Sequence, residues 1–236
     1  MSYVPEHAEE FNRLEKQSTL PLFDYSKELQ GLDVKSGACI LDAGCGSGIV
    51  SRYLARTYPE SQVIACDYTG SLIEKARAAA SEITNITFDQ QNPQHLEYRD
   101  GQFDAIISRF VFHHQNPEGL KRMVAELVRV LKPGGTLIVI DIDSLIFNLY
   151  PQTPAVTKGL QKLAASDEVD LYVGRKIPCL LAEAGLESFR GRFSRWNLKM
   201  NGSKRVTDLS MPPIFSKERL AAKRNGTHFP GSIWNA

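Results

Sequence analysis

The segment Ile40-Leu41-Asp42-Ala43-Gly44-Cys45-Gly46-Ser47-Gly48 leaves an apolar run and enters Ile49–Arg56, whose apolar positions recur at helical spacing. A glycine-rich turn set directly between a strand and a helix lets the backbone bend sharply and approach a ligand. The helix start adds N–H groups that point at it. A lone glycine loop is a weak signal, and its bland alternative is a loop that merely turns the chain. Here the spacing is GxGxG, not the GxGxxG of dinucleotide binders. Asp42 also precedes the first glycine by two positions. An acid at that point repels a pyrophosphate and suits the cationic ammonium of an amino-acid moiety, directly or through water.

Outward from the loop, short apolar runs alternate with helical ones. Ala38–Leu41, Gln62–Cys66, Asn85–Phe88, Phe103–Ser108 and Thr136–Asp141 read as strands, with Ile49–Arg56, Leu72–Ser81 and Leu120–Leu131 as the helices between them. Strands alternating with helices imply right-handed crossovers and a doubly wound, Rossmann-like α/β fold with a mostly parallel sheet. Lys132-Pro133-Gly134-Gly135 ends one helix and turns into the fifth strand, and Asp100-Gly101 makes the turn before Phe103. Residues 5–30 carry apolar positions at helical spacing, so one or two helices precede the first strand. Beyond Asp143 a helix is expected near Ala155–Ala165, another over Lys176–Ala184 and a strand over Leu186–Phe193. After that Pro212-Pro213 and Asn225-Gly226 interrupt the pattern and no final strand is expected.

The second fixed point is Asp67, at the carboxyl end of the second strand and nineteen residues after Gly48. A carboxylate there accepts hydrogen bonds from both hydroxyls of a ribose. With the loop, this describes a nucleoside joined to an amino acid and carrying no phosphate, and S-adenosylmethionine fits that description.

With these residues in place the chain resembles the class I S-adenosylmethionine-dependent methyltransferases, in the branch that looks like the ubiquinone/menaquinone-biosynthesis enzymes (methyltransferase types 11 and 25). The resemblance rests on Leu41–Gly48, Asp67, Phe103-Asp104 leading to Ser108-Arg109-Phe110-Val111-Phe112-His113-His114, and Leu131–Gly135, and it covers roughly residues 30–143. It implies that Gly44, Cys45, Gly46, Gly48 and the loop backbone flank the methionine part beside Asp42. It further implies that Asp67 takes the ribose, Tyr68 lies against the adenine, and Ser108 and Arg109 line the same site. A helix ahead of the first strand closes over the cofactor in such proteins, where Arg13, one turn from Gln17, would pair with the methionine carboxylate. A solvated helix face is the alternative. The expected layout is a single domain: a helical lid over 1–30, the cofactor-binding core over 31–143, a helical, substrate-covering insertion over 144–173, and the end of the sheet with a basic tail over 174–236. One segment departs from the pattern. Where the family places an acid and a small residue to hold adenine, this chain has Asn92, which still offers an amide oxygen, and Pro93, which has no N–H to give.

Methyl transfer is an in-line displacement that chiefly needs alignment and exclusion of water, with a base only where the acceptor carries a proton. Ligands in this architecture bind at the carboxyl edge of the sheet, so the candidates are His113 and His114 after the fourth strand and Asp141 after the fifth. Each has a structural alternative, as a loop cap for the histidines and for Asp141. Asp141 and Asp143 with His113 could hold a divalent ion, but no further carboxylate is placed beside them and no metal is expected. Arg175 is a candidate for an anionic substrate. Phe147, Tyr150, Pro151, Pro154 and Tyr172 would suit the wall of a small-molecule pocket or a packed surface helix equally.

With 236 residues, 42% apolar and 23% charged, the composition is that of one globular α/β domain and argues against disorder or a coiled coil. The net charge of +1 hides a split: ten Lys/Arg against Asp208 and Glu218 from Arg190 onward give +8, leaving −7 for the preceding residues. Cys39, Cys45, Cys66 and Cys179 form no CxxC pair and read as reduced thiols. With no signal-like or membrane-length apolar run, the expectation is the cytoplasm and no membrane partner. The short loops favour a small, apolar or aromatic metabolite as acceptor, through O, N or C. The alternatives are an RNA or protein acceptor docked on the basic tail, which makes a nucleic-acid partner the minority reading, and a non-catalytic cofactor-binding module. A homodimer stays open.

Overall fold

The computed structural model describes residues 9–20, 23–30, 32–143, 153–164, 169–195 and 216–224. In chain order the strands are β1 (Cys39–Ala43), β2 (Gln62–Asp67), β3 (Ile86–Gln90), β4 (Phe103–Arg109), β5 (Leu131–Asp143), β6 (Leu186–Arg195) and β7 (Ser216–Arg224). The helices are α1 (Glu10–Ser18), α2 (Tyr25–Glu28), α3 (Ile49–Thr57), α4 (Gly70–Ala79), α5 (Pro117–Val130), α6 (Pro154–Ala164) and α7 (Val173–Glu183), with a 3₁₀ turn over Phe112–His114. The strands form one sheet in the order β3-β2-β1-β4-β5-β7-β6. The first five are parallel, and β7 pairs antiparallel with both β5 and β6.

Alternation along the central strands sends side chains into two cores. On one face Leu41, Ile106, Leu137 and Val139 pack with Leu120, Met123, Val124, Leu127 and Val128 of α5 and with Val173, Ile177 and Leu181 of α7. On the other, Ile40, Val63, Ile107, Ile138 and Ile140 pack with Val50, Leu54 and Ala55 of α3 and Ile73 and Ala76 of α4. Both faces are covered, as an apolar parallel sheet requires. Leu127 is fully buried, and truncating it to alanine would cost about 2–5 kcal/mol. Asn116 caps α5 through its side-chain oxygen on the Gly119 N–H, with Pro117 at the first helical position.

Two departures from the sequence reading have physical causes. The fifth strand starts at Leu131 rather than Thr136, because Leu131 already pairs with Phe103 before a register shift in the Lys132–Gly135 turn. A Cβ on Gly135 would meet Lys132 O at 2.9 Å and Asp104 O at 3.0 Å, so only glycine fits there. The second is β7, where no strand was expected. Five of the nine residues in SKERLAAKR are charged, so no apolar alternation announces it. Backbone pairing on two sides makes the strand, a tertiary effect that outweighs local propensity. Phe147, Tyr150, Pro151, Pro212-Pro213 and Asn225-Gly226, like Lys199, Lys204 and Arg205 of the basic tail, lie outside the described residues.

The strand order reverses between β1 and β4. That switch point places the loop after β1 beside the turn after β4, the position where ligands bind in open α/β sheets.

Candidate functional site

The glycine loop folds back on the second strand. Gly44 N–H and Cys45 N–H both donate to Cys66 O, at 2.8 and 2.9 Å, Gly46 N–H donates to Asp67 Oδ2 at 3.0 Å, and Gly48 N–H donates to Cys45 O at 2.9 Å. Gly44 takes a φ of 81°, and a Cβ there would stand 2.3 Å from Val111 Cγ2. The loop is thus wedged between β2 and the turn after β4. Four of the five backbone N–H groups from Gly44 to Gly48 are thus spent within the protein, which leaves little to cradle a pyrophosphate.

Two buried carboxylates face the same region. Asp67 accepts Gly46 N–H and Thr69 N–H, one on each oxygen, which keeps lone pairs on both for ribose hydroxyls. Burial pushes its pKa up, against the pull of those backbone donors. Asp42 accepts the Ser51 hydroxyl at 2.5 Å, and burial raises it to about 6, opposed by Ser51 and by Arg109 and reinforced by Asp67. Ser108, fully buried at the end of β4, has a hydroxyl with no hydrogen-bond partner among the described residues. Two acids, a hydroxyl and occupied amides suit a neutral ribose and a cationic amino acid.

Helix α1 lies over this loop. Leu14 Cδ1 is 3.0 Å from where a Cβ on Gly46 would stand, and Glu15 pairs with Arg52 of α3, whose Nη1 also donates to Ser47 O at 2.9 Å. Arg13 pairs with Glu10 at 2.6 Å and with Gln17 at 3.2 Å, and it is close enough to His114 to depress that imidazole. Tyr68 is 43% exposed beside Asp67. Asn92 is exposed, and its Oδ1 already accepts the Gln94 N–H at 2.9 Å. Burial pushes the Cys45 and Cys66 thiols up, so both stay protonated.

Across the switch point stands a carboxylate–imidazole pair. Asp141 Oδ1 is 2.7 Å from His113 Nδ1, while Asp141 Oδ2 accepts the N–H groups of Phe112 at 2.8 Å and His113 at 3.3 Å. The acid therefore caps the 3₁₀ turn and orients the imidazole at once. A carboxylate on Nδ1 fixes the proton there and leaves Nε2 as the basic nitrogen. The His114 ring lies tilted by 41° against that of His113, with centroids 3.9 Å apart. Its pKa is lowered to about 4, first by burial and then by His113 and Arg13, so it is neutral at pH 7.

The remaining candidates are engaged elsewhere. Arg109 forms an ion pair with Glu28 at 2.7 Å and donates to Phe23 O at 3.1 Å. Arg175 pairs with Asp143 through two contacts at 2.8 and 3.1 Å, with its guanidinium 4.7 Å from the Tyr172 ring centroid. Among the described residues no group of three His, Cys, Asp or Glu is placed to hold a metal ion, and no helix is long and apolar enough to cross a membrane. Sequence reading missed Arg52, Glu28 and Phe110. None of the three carries a local signal: Arg52 stands nearly opposite Val50 and Leu54 around α3, and it is buried where α1 lies over the loop.

Residues 40–135 match the family model described as a methyltransferase domain. Residues 40–135 thus carry a methyltransferase domain, similar to those of the class I S-adenosylmethionine-dependent enzymes of the type 11/25 branch. Its cofactor is S-adenosylmethionine, which the donor set described above fits. The methyltransferase domain is 40% identical over 108 residues to a probable tRNA methyltransferase 9B of Mus musculus, a match covering 45% of this chain and 22% of that protein. It is 34% identical over 142 residues to a demethylmenaquinone methyltransferase of Tropheryma whipplei (strain Twist), covering 58% of this chain and 56% of that one. The chain thus spans about a fifth of the first relative and just over half of the second. The fold agrees with the crystal structure of a SAM-dependent methyltransferase from Aquifex aeolicus, with a TM-score of 0.64 at 22% identity, covering 90% of this chain and 96% of that one.

Proposed function

We propose that the chain transfers the methyl group of S-adenosylmethionine to a hydroxyl or amine of a small, apolar or aromatic metabolite, with His113 as the general base. The observation that carries this reading is the His113–Asp141 pairing at the switch point, across from the glycine loop. Bound S-adenosylmethionine supplies an electrophilic methyl on a positively charged sulfur, which departs as a neutral thioether. Asp67 would hold the ribose, and Asp42 with Ser108 the amino-acid end. Asp141 keeps the Nδ1 proton in place, so His113 Nε2 takes the acceptor's proton as its oxygen or nitrogen forms the new bond to carbon. Leu14, which lies over Gly46, would help to keep water from the loop.

A second reading, an RNA acceptor, is favoured by the 40% identity to the tRNA methyltransferase 9B relative and by the +8 charge of the residues from Arg190 onward. Four free cysteines, two of them buried in the core, support a reducing compartment, the cytoplasm. The deciding experiment measures S-adenosylhomocysteine release with phenolic and amine acceptors and, separately, with unmodified tRNA. Turnover on the small acceptors that falls about 10²–10⁴-fold in His113→Asn supports the first reading. Turnover on tRNA alone, steeply lost between low and moderate salt, replaces it with the second. Cofactor binding without product in either panel would leave a non-catalytic module.

A further inference from the structure

The chain leaves β4 through Phe110, whose φ of 59° makes it the only non-glycine residue in the left-handed region among the described residues. For a bulky side chain that conformation is strained, and it persists only where the surroundings impose it. Here Phe110 N–H donates to Ile140 O at 2.8 Å, the Arg109 guanidinium lies 4.5 Å from the ring centroid, and the Phe23 ring meets it edge-on at 5.6 Å. Arg109 is itself held from outside the sheet. Its Nε is 2.7 Å from Glu28 Oε2, its Nη2 is 3.3 Å from Glu28 Oε1 and 3.1 Å from Phe23 O, and both side chains of the pair are about nine-tenths buried.

Both neighbours of the site follow directly from the kink. Val111, next in the chain, packs against Gly44 of the glycine loop and caps the turn that carries His113. The His113 imidazole meets the Phe110 ring edge-on at 6.4 Å and pairs with Asp141. One strained residue therefore joins the cofactor loop to the imidazole, and a guanidinium anchored on the amino-terminal segment covers that residue.

We infer that Arg109 is a positioning residue for the proposed methyl transfer: acting through Phe110, it fixes where the His113 imidazole stands relative to the glycine loop. Glu28 and Phe23 hold Arg109 in that role, so the segment ahead of the sheet serves the base and not only the cofactor. The inference rests on reading His113 as the base. On this account Arg109 is not a ligand of the cofactor, and its planar fork over a ring cannot be replaced by lysine.

The test uses the full chain with S-adenosylmethionine as the only probe. Nitrogen-15 signals of the His113 imidazole, assigned with His113→Asn, report its tautomer, and calorimetry reports cofactor affinity. In the wild type the signals are those of a single tautomer protonated on Nδ1. In Glu28→Gln they shift toward the average of two tautomers, while the dissociation constant stays within about twofold. Glu28→Asp restores the wild-type pattern, and Arg109→Lys repeats that of Glu28→Gln. Where either of the disruptive variants fails to fold, Phe110→Asn is read in the same way, since Asn tolerates the left-handed backbone and removes the ring. His113 signals that superimpose on the wild type in the folded variants overturn the inference. So does a loss of affinity of about tenfold or more, which would return Arg109 to the cofactor site. Absence of cofactor binding by the wild type would instead sink the methyl-transfer reading.

Discussion

Arg52 Nη2 lies 2.9 Å from both carboxylate oxygens of Glu15, so the helix ahead of the sheet is bolted to the helix that the glycine loop opens. Arg52 is only 8% exposed, and it also ties down Ser47 O of the loop itself. One nitrogen serves Glu15 and the other the loop, so a single buried guanidinium makes charge-assisted hydrogen bonds to both elements.

Arg52→Ala is expected to loosen α1 and the loop together. Amide exchange in Glu10–Ser18 should quicken by roughly tenfold, equivalent to about 1.4 kcal/mol, with weaker cofactor binding. Unchanged protection of α1 would show that Leu14 and its neighbours hold the helix without the pair.

Asp67→Ala removes the proposed ribose acceptor and the tether on Gly46 N–H in one step. Affinity for S-adenosylmethionine, measured by calorimetry, should drop by about tenfold or more, the loss of one to two charge-assisted hydrogen bonds. Asp67→Asn, which keeps one acceptor oxygen, should fall between that variant and the wild type. An affinity indifferent to both substitutions would remove Asp67 from the cofactor site.

Asp42 makes binding and stability respond oppositely to pH. Its pKa is raised to about 6, above the unfolded value of 3.8, so its contribution to stability is present in full below the unfolded value and is lost as pH rises through about 6. The ionised form is the one that attracts an ammonium. Lowering the pH from about 7 to about 5 should therefore weaken cofactor binding while this group ceases to oppose folding. The raised pKa of Asp67 acts in the same direction, so Asp42→Asn is the control. That variant should bind more weakly at pH 7 and show a flatter pH dependence.

Gly44→Ala combines a left-handed backbone with a Cβ 2.3 Å from Val111 Cγ2. The expected loss is about 2–4 kcal/mol, from backbone strain and overpacking together, visible as a lower Tm. Adding Val111→Ala should recover the steric share and leave the backbone share. Full recovery would mean that φ at Gly44 carries no cost.

The grouping of the glycine loop with its two acids was legible in the sequence because its parts are local. Asp42, Gly44, Gly46 and Gly48 fall within seven residues, and Asp67 closes the next strand. His113 and Asp141 were legible as types at the right edge, but their pairing across 28 residues was not. Arg109 shows the limit more sharply. Its position after β4 suggested a ligand of the cofactor, yet its partner Glu28 lies 81 positions away on a four-residue helix. Phe110 carries nothing in its side chain that foretells a positive φ.

By itself, then, the sequence determined the alternation of strand and helix, the turn between β1 and α3, and the placing of Asp42 and Asp67 beside that turn, since these follow from apolar period, glycine and charge within short windows. The tertiary structure alone decided that a charged segment becomes β7, that Asp141 orients His113, and that Arg109 turns toward Glu28. Each of these is a contact between residues far apart in the chain, and its free energy comes from burial and pairing that exist only once the sheet has closed around them.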